Sequence, residues 1–184
     1  VYNGEVFNYL ELRDELQGKG YRFITSTDTE VVLAAYQHWG IDFLNRLNGM
    51  WAMIIWDNLT RTLLASRDRF GIKPLFYCQI KEEWIFASEI KAFMKHPEFH
   101  ARMNKRMVFN YLWAEQHPDV EDTYFQNVRS VPPASYLQIR DGEVFKSRYW
   151  ELPDYDLCQE RESEDASEYF MELLRDSVRL RLRS

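Results

Sequence analysis

The sequence predicts an α+β fold in which helices cover antiparallel sheets. Apolar runs of strand length follow one another in the middle of the chain, and amphipathic runs with helical spacing stand before and after them. Strands and helices do not alternate one by one, as they would in a parallel sheet with crossover helices. At 184 residues and 46% hydrophobic composition, the chain can bury a sizeable core.

Three hairpins are predicted in this middle part. GMWAMIIWD and TLLASRD are joined by NLTR, and PLFYCQI and EWIFAS are joined by a charged turn. SYLQIR and EVFKSRYW meet at Asp141-Gly142, a pair typical of two-residue hairpin turns. Because the apolar runs are continuous rather than alternating, we expect these strands to be buried on both faces.

Local signals mark where helices begin and end. Thr27 and Glu30 have the spacing of a capping box, and Gly40 ends the helix that they begin. Ser88 and Asn104 are the predicted N-caps of two further helices. The closing helix, DASEYFMELLRDSVRLRLRS, is amphipathic and carries four arginines near its end, which we interpret as a solvated helix terminus.

Composition and charge exclude several functions. The net charge of -6 and the pI near 5.3 are opposite to the basic surface of a nucleic-acid-binding protein. No apolar run reaches the length of a membrane span. Cys78 and Cys158 have no metal-ligand spacing and form no Cys-x-x-Cys motif. We therefore expect a cytoplasmic protein, with Cys78 buried, Cys158 exposed and no metal or other cofactor in this part of the chain.

Two short segments could carry chemistry. An asparagine side-chain amide and the next backbone N–H can point at one oxygen, as an oxyanion hole requires, and Asn3-Gly4 offers this pair. From the dipeptide alone, a turn is the simpler interpretation. Asp28, at a predicted helix start, could bind a substrate amino group or merely complement the helix dipole.

The stretch SRDRFGIKPLFY places alternating charges where a strand should end. Arg67 and Asp68 stand at this point, and Gly71 permits a tight bend shortly after it. The charges could brace the bend from inside or line a passage or interface. Bracing is the interpretation that the residues alone favour.

Six segments, taken in order and spacing, resemble the glutamine-dependent asparagine synthetases: NGEVFNYLELR, STDTEVVLAAYQHWG, LNGMWAMIIWD, SRDRFGIKPLFY, FASEIKAFMKH and RYWELP. The resemblance covers nearly the whole chain. It implies that residues 1–150 are the C-terminal part of a class II glutamine amidotransferase domain, an Ntn-hydrolase-like four-layer αββα sandwich truncated at its N-terminus. Residues 151–184 would be a linker and the first helix of an ATP-dependent synthetase domain.

The resemblance also implies roles for individual residues. In that family an N-terminal cysteine attacks the side-chain amide of glutamine, and its own α-amino group acts as the base. Asn3 and Gly4 resemble the oxyanion-hole pair, and Glu5 lies in the segment that contacts glutamine. Asp28 resembles the carboxylate that holds the substrate's α-amino group. Ammonia then reaches a second domain, where ATP and magnesium activate aspartate. Glutamine is thus the expected ligand here, and a homodimer is left open.

The sequence departs from the family pattern at several places. No cysteine stands at position 1, and Pro133-Ala134 replaces the usual Pro-Gly pair. The upstream segment whose arginine grips the substrate carboxylate is absent, as is the Ser-Gly-Gly-x-Asp-Ser loop for ATP, expected after Ser184. We therefore expect an internal fragment of an amide ligase, inactive by itself.

Other functions stay open. The parent could resemble β-lactam synthetases, which keep the fold without the glutaminase, or it could amidate an acceptor other than aspartate. From different classes, the chain could be a module that binds glutamine without hydrolysing it, or a purely structural domain. Glutamine titration and a glutamate-release assay on the full-length protein separate these alternatives.

The expected truncation generates the first prediction. A domain without its first strand exposes an unpaired sheet edge and part of its apolar core, both of which favour association. We expect this chain alone to be unstable or to self-associate, which light scattering coupled to size-exclusion chromatography measures. A monodisperse monomer that melts cooperatively would contradict this expectation.

Overall fold

A computed structural model describes residues 1–114, 120–153 and 163–183. Cys158 lies outside the described residues, as does most of the predicted connection 151–163. The strands are β1 Tyr2–Val6, β2 Gly49–Asp57, β3 Thr62–Arg67, β4 Phe76–Ile80, β5 Glu83–Ala87, β6 Arg129–Ser130, β7 Ser135–Arg140 and β8 Glu143–Arg148. The helices are α1 Tyr9–Gly18, α2 Asp28–Trp39, α3 Phe43–Arg46, α4 Lys105–Ala114 and α5 Ser163–Arg181, with two 3-10 segments at Gly40–Asp42 and Ile90–Lys95.

The chain forms two compact units. The first, here called the sheet unit, consists of Val1–Gly4 and Met50–Tyr149. The second, here called the helix unit, consists of Glu5–Gly49 and Trp150–Ser184. Each unit is described by itself below.

Two antiparallel sheets form the frame of the sheet unit. The larger has the strand order β1-β2-β3-β7-β8, and the smaller has the order β5-β4-β6. The three predicted hairpins, β2–β3, β4–β5 and β7–β8, are confirmed as antiparallel pairs. The prediction that the strands are buried on both faces is wrong for β8, which is largely exposed because it is the end strand of its sheet.

The core of the sheet unit lies between the two sheets. Residues from β2, β3, β4 and β7 meet there in one apolar cluster that includes Tyr77 and Leu137. Cys78, the next residue on β4, points to the opposite face, as strand geometry requires, and packs in a second cluster with Phe93. The smaller sheet is therefore covered on both faces.

Three local predictions are wrong, each because a competing contact decides the geometry. Asn3-Gly4 lies inside strand β1 and forms no turn. Thr27 makes no side-chain capping bond, and its hydroxyl instead shares a hydrogen bond with Thr25 Oγ1 at 2.9 Å. The Glu30 carboxylate accepts the backbone N–H groups of Ile24 and Thr25 at 2.9 and 2.7 Å.

Ser88 caps no helix either. The following 3-10 segment, Ile90–Lys95, is preceded by Glu89, which makes no side-chain capping bond. Two other helix signals behave as predicted: Gly40 ends α2 with a φ of 57°, and Asn104 Oδ1 accepts the Met107 N–H at 3.3 Å.

Asp68 braces the bend after β3 from inside. Its carboxylate is fully buried, and each oxygen accepts two backbone N–H groups. Oδ1 accepts from Phe70 at 3.1 Å and Ile72 at 3.0 Å, and Oδ2 accepts from Lys73 at 3.0 Å and Trp51 at 3.2 Å. Four amide donors stabilise the buried negative charge, which otherwise costs several kcal/mol.

Arg67 complements this bracing from the next position. Its guanidinium donates to the carbonyls of Lys73 and Gly71, both at 2.7 Å, and of Val131 at 2.9 Å. It also donates to Ser130 Oγ at 3.0 Å. Burial lowers the pKa of Arg67, which remains far above neutrality because arginine titrates near the basic extreme. The bracing interpretation of this stretch is therefore confirmed.

The Pro133-Ala134 departure has a conformational cost. Ala134 is buried and has a φ of 55°, in the left-handed region that glycine adopts freely. A non-glycine residue there is disfavoured by roughly 1 kcal/mol. Two bonds hold the strained residue in place: its N–H donates to the Asp68 carbonyl at 2.9 Å, and its carbonyl accepts from the Tyr149 N–H at 2.8 Å.

The helix unit is built around α1, α2 and α3. Their apolar faces bury Leu16, Val31, Ala35, Phe43 and Leu44 almost completely. Helix α5 belongs to the same unit, and Leu180 near its end is buried. Much of the rest of α5, including the apolar face predicted from its sequence, is exposed.

The Asp68 bracing generates a stability prediction. In Asp68→Asn, one carboxylate oxygen becomes an NH₂ group, so two of the four N–H donors face another donor. We expect the free energy of unfolding to fall by about 3 kcal/mol or more, since each buried donor without a partner costs about 1–3 kcal/mol. Urea unfolding of the full-length parent protein, followed by tryptophan fluorescence, measures this.

Asp141→Asn is the matched control. Asp141 is exposed at the β7–β8 turn with a φ of 50°, a conformation that asparagine tolerates. This substitution should change stability by no more than about 0.5 kcal/mol. A loss below about 1 kcal/mol in Asp68→Asn would mean that its carboxylate does not hold the bend.

Candidate functional site

Asn3 projects an exposed carboxamide from β1 in the sheet unit. Its Nδ2 donates to the Ser88 hydroxyl at 3.4 Å, a contact between residues 85 positions apart. Ser88 is half-buried and directly follows β5. The sequence predicted Asn3 as a donor but gave no signal for its neighbour.

Gly4 is packed so tightly against β2 that no side chain fits. A Cβ atom at this position would lie 2.2 Å from the Met50 carbonyl oxygen and 2.7 Å from the Trp51 Cα. Both are backbone atoms, which cannot move aside without breaking the sheet. Glycine is thus required here by close approach of two strands rather than by a turn.

The strand register decides where the Gly4 N–H points. Val1 and Ile54 exchange both backbone hydrogen bonds at 2.8 Å, and in an antiparallel pair such positions alternate. Gly4 faces Trp51, whose own N–H and carbonyl are engaged by Asp68. The Gly4 N–H therefore points away from β2, and β1 is an end strand of the described sheet. This donor is available to a ligand.

Asp28 is the first residue of α2 in the helix unit and is half-buried. Its Oδ2 accepts the backbone N–H of Val6 at 3.0 Å, and its Oδ1 accepts from Thr29 Oγ1 at 3.4 Å. The Val6 bond fixes the carboxylate relative to the end of β1. An ionised carboxylate is a two-oxygen acceptor, the type of group that binds an ammonium ion.

A cavity of about 300 Å³ lies beside this carboxylate. Glu5 and Asp28 both line it, so the structure brings these two predicted residues together. Asn3 and Gly4 are not among its lining residues. The cavity's lining residues, all in the helix unit, are Glu5, Val6, Phe7, Tyr9, Ser26, Thr27, Asp28, Leu180 and Arg183.

The interpretation of the closing arginines as a solvated helix terminus is wrong for Arg183. Its side chain is only 20% exposed, and its Nη1 donates to Glu11 Oε2 at 2.7 Å and to the Phe7 carbonyl at 3.3 Å. The guanidinium of Arg181 lies 4.8 Å from the centroid of the Phe7 ring. Arg179, which pairs with Asp176 at 2.6 Å, remains exposed as predicted.

The Arg183–Glu11 pair shifts both pKa values in the directions expected of an ion pair. The hydrogen bond from Arg183 lowers the pKa of Glu11 below its ordinary 4.5, and the same bond raises the pKa of Arg183. Arg183 therefore carries a positive charge at the wall of the cavity that Glu5 and Asp28 line. No local pattern in the sequence pointed to this contact.

Cys78 is not placed for nucleophilic chemistry. It is 2% exposed, as predicted, and burial raises the pKa of its thiol, so the reactive thiolate is disfavoured. Within residues 1–114, 120–153 and 163–183, no group of three or more His, Cys, Asp or Glu side chains is arranged to hold a metal ion. In the same described ranges, no helix combines the length and apolarity that crossing a membrane requires.

The arrangement offers three kinds of group for chemistry. Asn3 and Gly4 present two N–H donors from adjacent positions of one strand. Asp28 presents an anchored carboxylate at a helix start, and Glu5 lines the same cavity. Donors of the first kind stabilise a developing oxyanion, and an anchored carboxylate binds and orients an ammonium group.

A family model for the glutamine amidotransferase domain matches residues 1–150. The chain belongs to this family. Its relatives include Asparagine synthetase [glutamine-hydrolyzing] 2 of Bacillus subtilis (strain 168), which is 37% identical over 195 residues, a match that covers 100% of this chain and 26% of the relative. The resemblance to glutamine-hydrolysing asparagine synthetases is thereby confirmed.

Another relative has a name that does not refer to asparagine synthesis. Amidase chry2 of Gibberella zeae is 32% identical over 190 residues, covering 100% of this chain and 27% of the relative. The chain thus spans about a quarter of the length of both curated relatives.

A solved structure confirms the fold prediction. The glutamine phosphoribosylpyrophosphate amidotransferase of B. subtilis, complexed with ADP and GMP, matches with a TM-score of 0.58 at 22% identity. The match covers 82% of this chain and 28% of that one. At this identity the likeness shows the fold alone, which is the α+β fold of the Ntn-hydrolase amidotransferases.

The Arg183–Glu11 pair generates a pH prediction. A carboxyl group whose folded pKa is depressed stabilises the fold above its unfolded pKa, and this contribution disappears as the pH falls through the folded value. We expect the contact between Arg183, which follows α5, and Glu11 of α1 to loosen below about pH 4.5. Removing the cation with Arg183→Gln should return the pKa of Glu11 towards 4.5, as an NMR titration of its carboxyl carbon measures.

Arg179→Gln is the control for this titration. Arg179 lies in α5, shortly before Arg183 in the sequence, but it pairs with Asp176, and its charge acts on Glu11 less than that of Arg183 does. Its removal should move the pKa of Glu11 much less than Arg183→Gln does. Equal shifts in the two variants would mean that Arg183 makes no specific bond to Glu11.

Proposed function

We propose that this chain is part of a glutamine-dependent asparagine synthetase and that its glutaminase domain supplies ammonia for the ATP-dependent amidation of aspartate. The observation that carries the proposal is the donor pair on β1. Asn3 offers a carboxamide and Gly4 an outward backbone N–H, on a strand that close packing keeps rigid. Membership of the glutamine amidotransferase family supports glutamine as the substrate.

The proposed reaction begins with attack of a thiolate on the side-chain amide carbon of glutamine. The carbonyl oxygen becomes an oxyanion, which Asn3 Nδ2 and the Gly4 N–H stabilise as two hydrogen-bond donors. Collapse of the tetrahedral intermediate expels ammonia and leaves a thioester, which water hydrolyses to glutamate. Asp28 holds the α-ammonium group throughout, and Glu5 forms part of the same binding cavity.

The attacking thiol belongs, in this proposal, to a cysteine outside these 184 residues. Cys78 is buried, and the motif around it has no counterpart in glutaminase chemistry. The parent's N-terminal cysteine, with its α-amino group as base, would supply the nucleophile. The chain described here binds glutamine and stabilises the transition state but does not start the reaction by itself.

The remaining parts of the reaction are assigned to regions beyond the amidotransferase domain. Residues 1–150 would form the C-terminal part of that domain, and 151–184 would form the linker and first helix of the synthetase domain. ATP, magnesium and aspartate would bind in the synthetase domain of the parent. The cytoplasmic location and a homodimer remain predictions.

A second candidate is an amidotransferase of the same architecture that acts on a different acceptor. The similarity to Amidase chry2 favours this candidate, since the name of that relative does not mention asparagine. Such an enzyme shares the glutaminase site and differs only in what receives the ammonia. A β-lactam-synthetase-like parent would differ further, because it would release no glutamate from glutamine. Glutamine-dependent formation of asparagine from aspartate and ATP by the parent separates these candidates.

Kinetics of glutamine hydrolysis by the parent protein test the proposed roles. Asn3→Ala should lower kcat by about 10²–10³ with KM changed little, because an oxyanion donor acts mainly in the transition state. Asp28→Asn keeps an acceptor for the Val6 N–H but loses its charge. It should raise KM by about 10- to 100-fold, as a lost charge-assisted hydrogen bond requires.

Asp141→Asn serves as the control, since Asp141 is exposed in the sheet unit. It belongs neither to the proposed oxyanion donors nor to the residues that line the cavity. Both kinetic constants should remain unchanged in this variant. Unaltered kcat in Asn3→Ala would remove the oxyanion role, and unaltered KM in Asp28→Asn would remove the ammonium role.

A further inference from the structure

The Ser88 hydroxyl has no structural task of the kind its sequence position suggests. It does not cap the 3-10 segment Ile90–Lys95, whose first internal bond runs from the Ala92 N–H to the Glu89 carbonyl at 3.1 Å. Within the described ranges, this hydroxyl accepts a hydrogen bond from Asn3 Nδ2. A half-buried serine at the end of β5 is thus directed at the side chain proposed as an oxyanion donor.

This contact restricts the direction of the other hydrogen of Asn3. A carboxamide nitrogen carries two hydrogens, about 120° apart in one plane. When one of them is bonded to Ser88, the second has a fixed direction, and the carbonyl oxygen Oδ1 is held on the opposite side. Without such a partner, an exposed asparagine rotates freely about its last side-chain torsion, which has a broad and roughly two-fold preference. Half of those orientations would present an oxygen to the oxyanion.

We propose that Ser88 is a positioning residue of the oxyanion hole, which accepts one Nδ2 hydrogen of Asn3 and thereby aims the other at the developing oxyanion. This inference rests on the proposed function, because it assumes that Asn3 is an oxyanion donor. It adds a residue from the second sheet to a site whose donors lie on β1.

The geometry of the contact suits this role. At 3.4 Å the bond is long, as bonds in catalytic groups commonly are before substrate binds, and it can shorten when Asn3 takes up the oxyanion. Asn3 and Ser88 both belong to the sheet unit, in which Ser88 follows the β4–β5 hairpin directly. The serine thus follows directly on a strand of the smaller sheet, and this short connection to a regular element favours precise aim.

The test compares kinetic constants for glutamine hydrolysis by the full-length parent protein. Ser88→Ala should lower kcat by about 5- to 30-fold, a smaller loss than the 10²–10³ expected when the donor itself is removed. KM should stay within about twofold, because positioning of an oxyanion donor acts in the transition state rather than in substrate binding. Ser88→Thr keeps the hydroxyl and should restore most of kcat.

Ser147→Ala is the matched control, since Ser147 lies on the exposed strand β8 and its hydroxyl donates to the neighbouring Arg148 carbonyl. Melting temperatures of all variants are measured in parallel. If Ser88→Ala lowers the melting temperature, raises KM and lowers kcat together, and threonine restores none of these, then the serine has a packing role and the proposal is overturned.

A second measurement reports on the oxyanion hole without turnover. An aldehyde analogue of glutamine, with CHO in place of CONH₂, adds the catalytic thiol across its C=O bond. The sulfur bonds to carbon, the π electrons of the C=O bond move to oxygen, and the proton lost by the thiol is transferred to that oxygen. The product is a hemithioacetal whose oxygen lies in the oxyanion hole. Ser88→Ala should weaken inhibition by this aldehyde by the same factor as kcat, whereas the affinity for glutamate should not change.

The outcomes distinguish failure of the proposed function from failure of the Ser88 role alone. If the wild-type parent releases no glutamate and does not bind the aldehyde, the proposed function is wrong, and the role of Ser88 is rejected with it. If the wild type is active and Ser88→Ala keeps both kcat and aldehyde affinity within twofold, only the role of Ser88 is rejected.

Discussion

The geometry of the sheet unit depends on the buried carboxylate of Asp68. A buried charge is tolerated only where several donors converge on it, and here four backbone N–H groups do so. One of them belongs to Trp51, whose carbonyl in turn accepts the Asp68 N–H at 2.9 Å. Asp68 thus engages both polar groups of Trp51 on the side away from β1. This leaves Gly4 facing Trp51 without hydrogen bonds between them and directs the Gly4 N–H outward.

The rest of the bend is assembled around the same residue and its neighbour. Arg67 donates to backbone carbonyl groups, and Asp68 accepts from backbone N–H groups. The two side chains together replace the backbone partners that a regular strand would provide. Tyr149 stacks near Trp51 with a centroid distance of 6.3 Å and donates its hydroxyl to the Arg67 carbonyl at 2.9 Å. Burial raises the pKa of this tyrosine strongly, so the hydroxyl remains a donor.

The sequence was sufficient for features that depend on local pattern or on long apolar runs. It predicted the three hairpins, the end of α2 at Gly40 and the bracing by Arg67 and Asp68, because turn chemistry and strand-length apolarity are properties of contiguous residues. It failed where a distant partner competes with a local preference. Asn3-Gly4 has the composition of a turn, but pairing with β2 makes it a strand, and neither the Ser88–Asn3 contact nor the Arg183–Glu11 pair has a local signature.

The pairing of β1 with β2 explains why the turn prediction for Asn3-Gly4 was wrong. The same pairing explains why these two residues suit an oxyanion hole. In a turn, the two donors would lie on a segment free to change its φ and ψ angles, and their directions would vary. In β1 the ladder with β2 fixes the direction of the Gly4 N–H, and the bond to Ser88 restrains the Asn3 carboxamide. The missing Cβ of Gly4 allows the strands to approach to a distance that excludes any other residue. Donors whose direction is fixed before substrate arrives need no reorganisation when negative charge develops, which is the condition for strong electrostatic stabilisation.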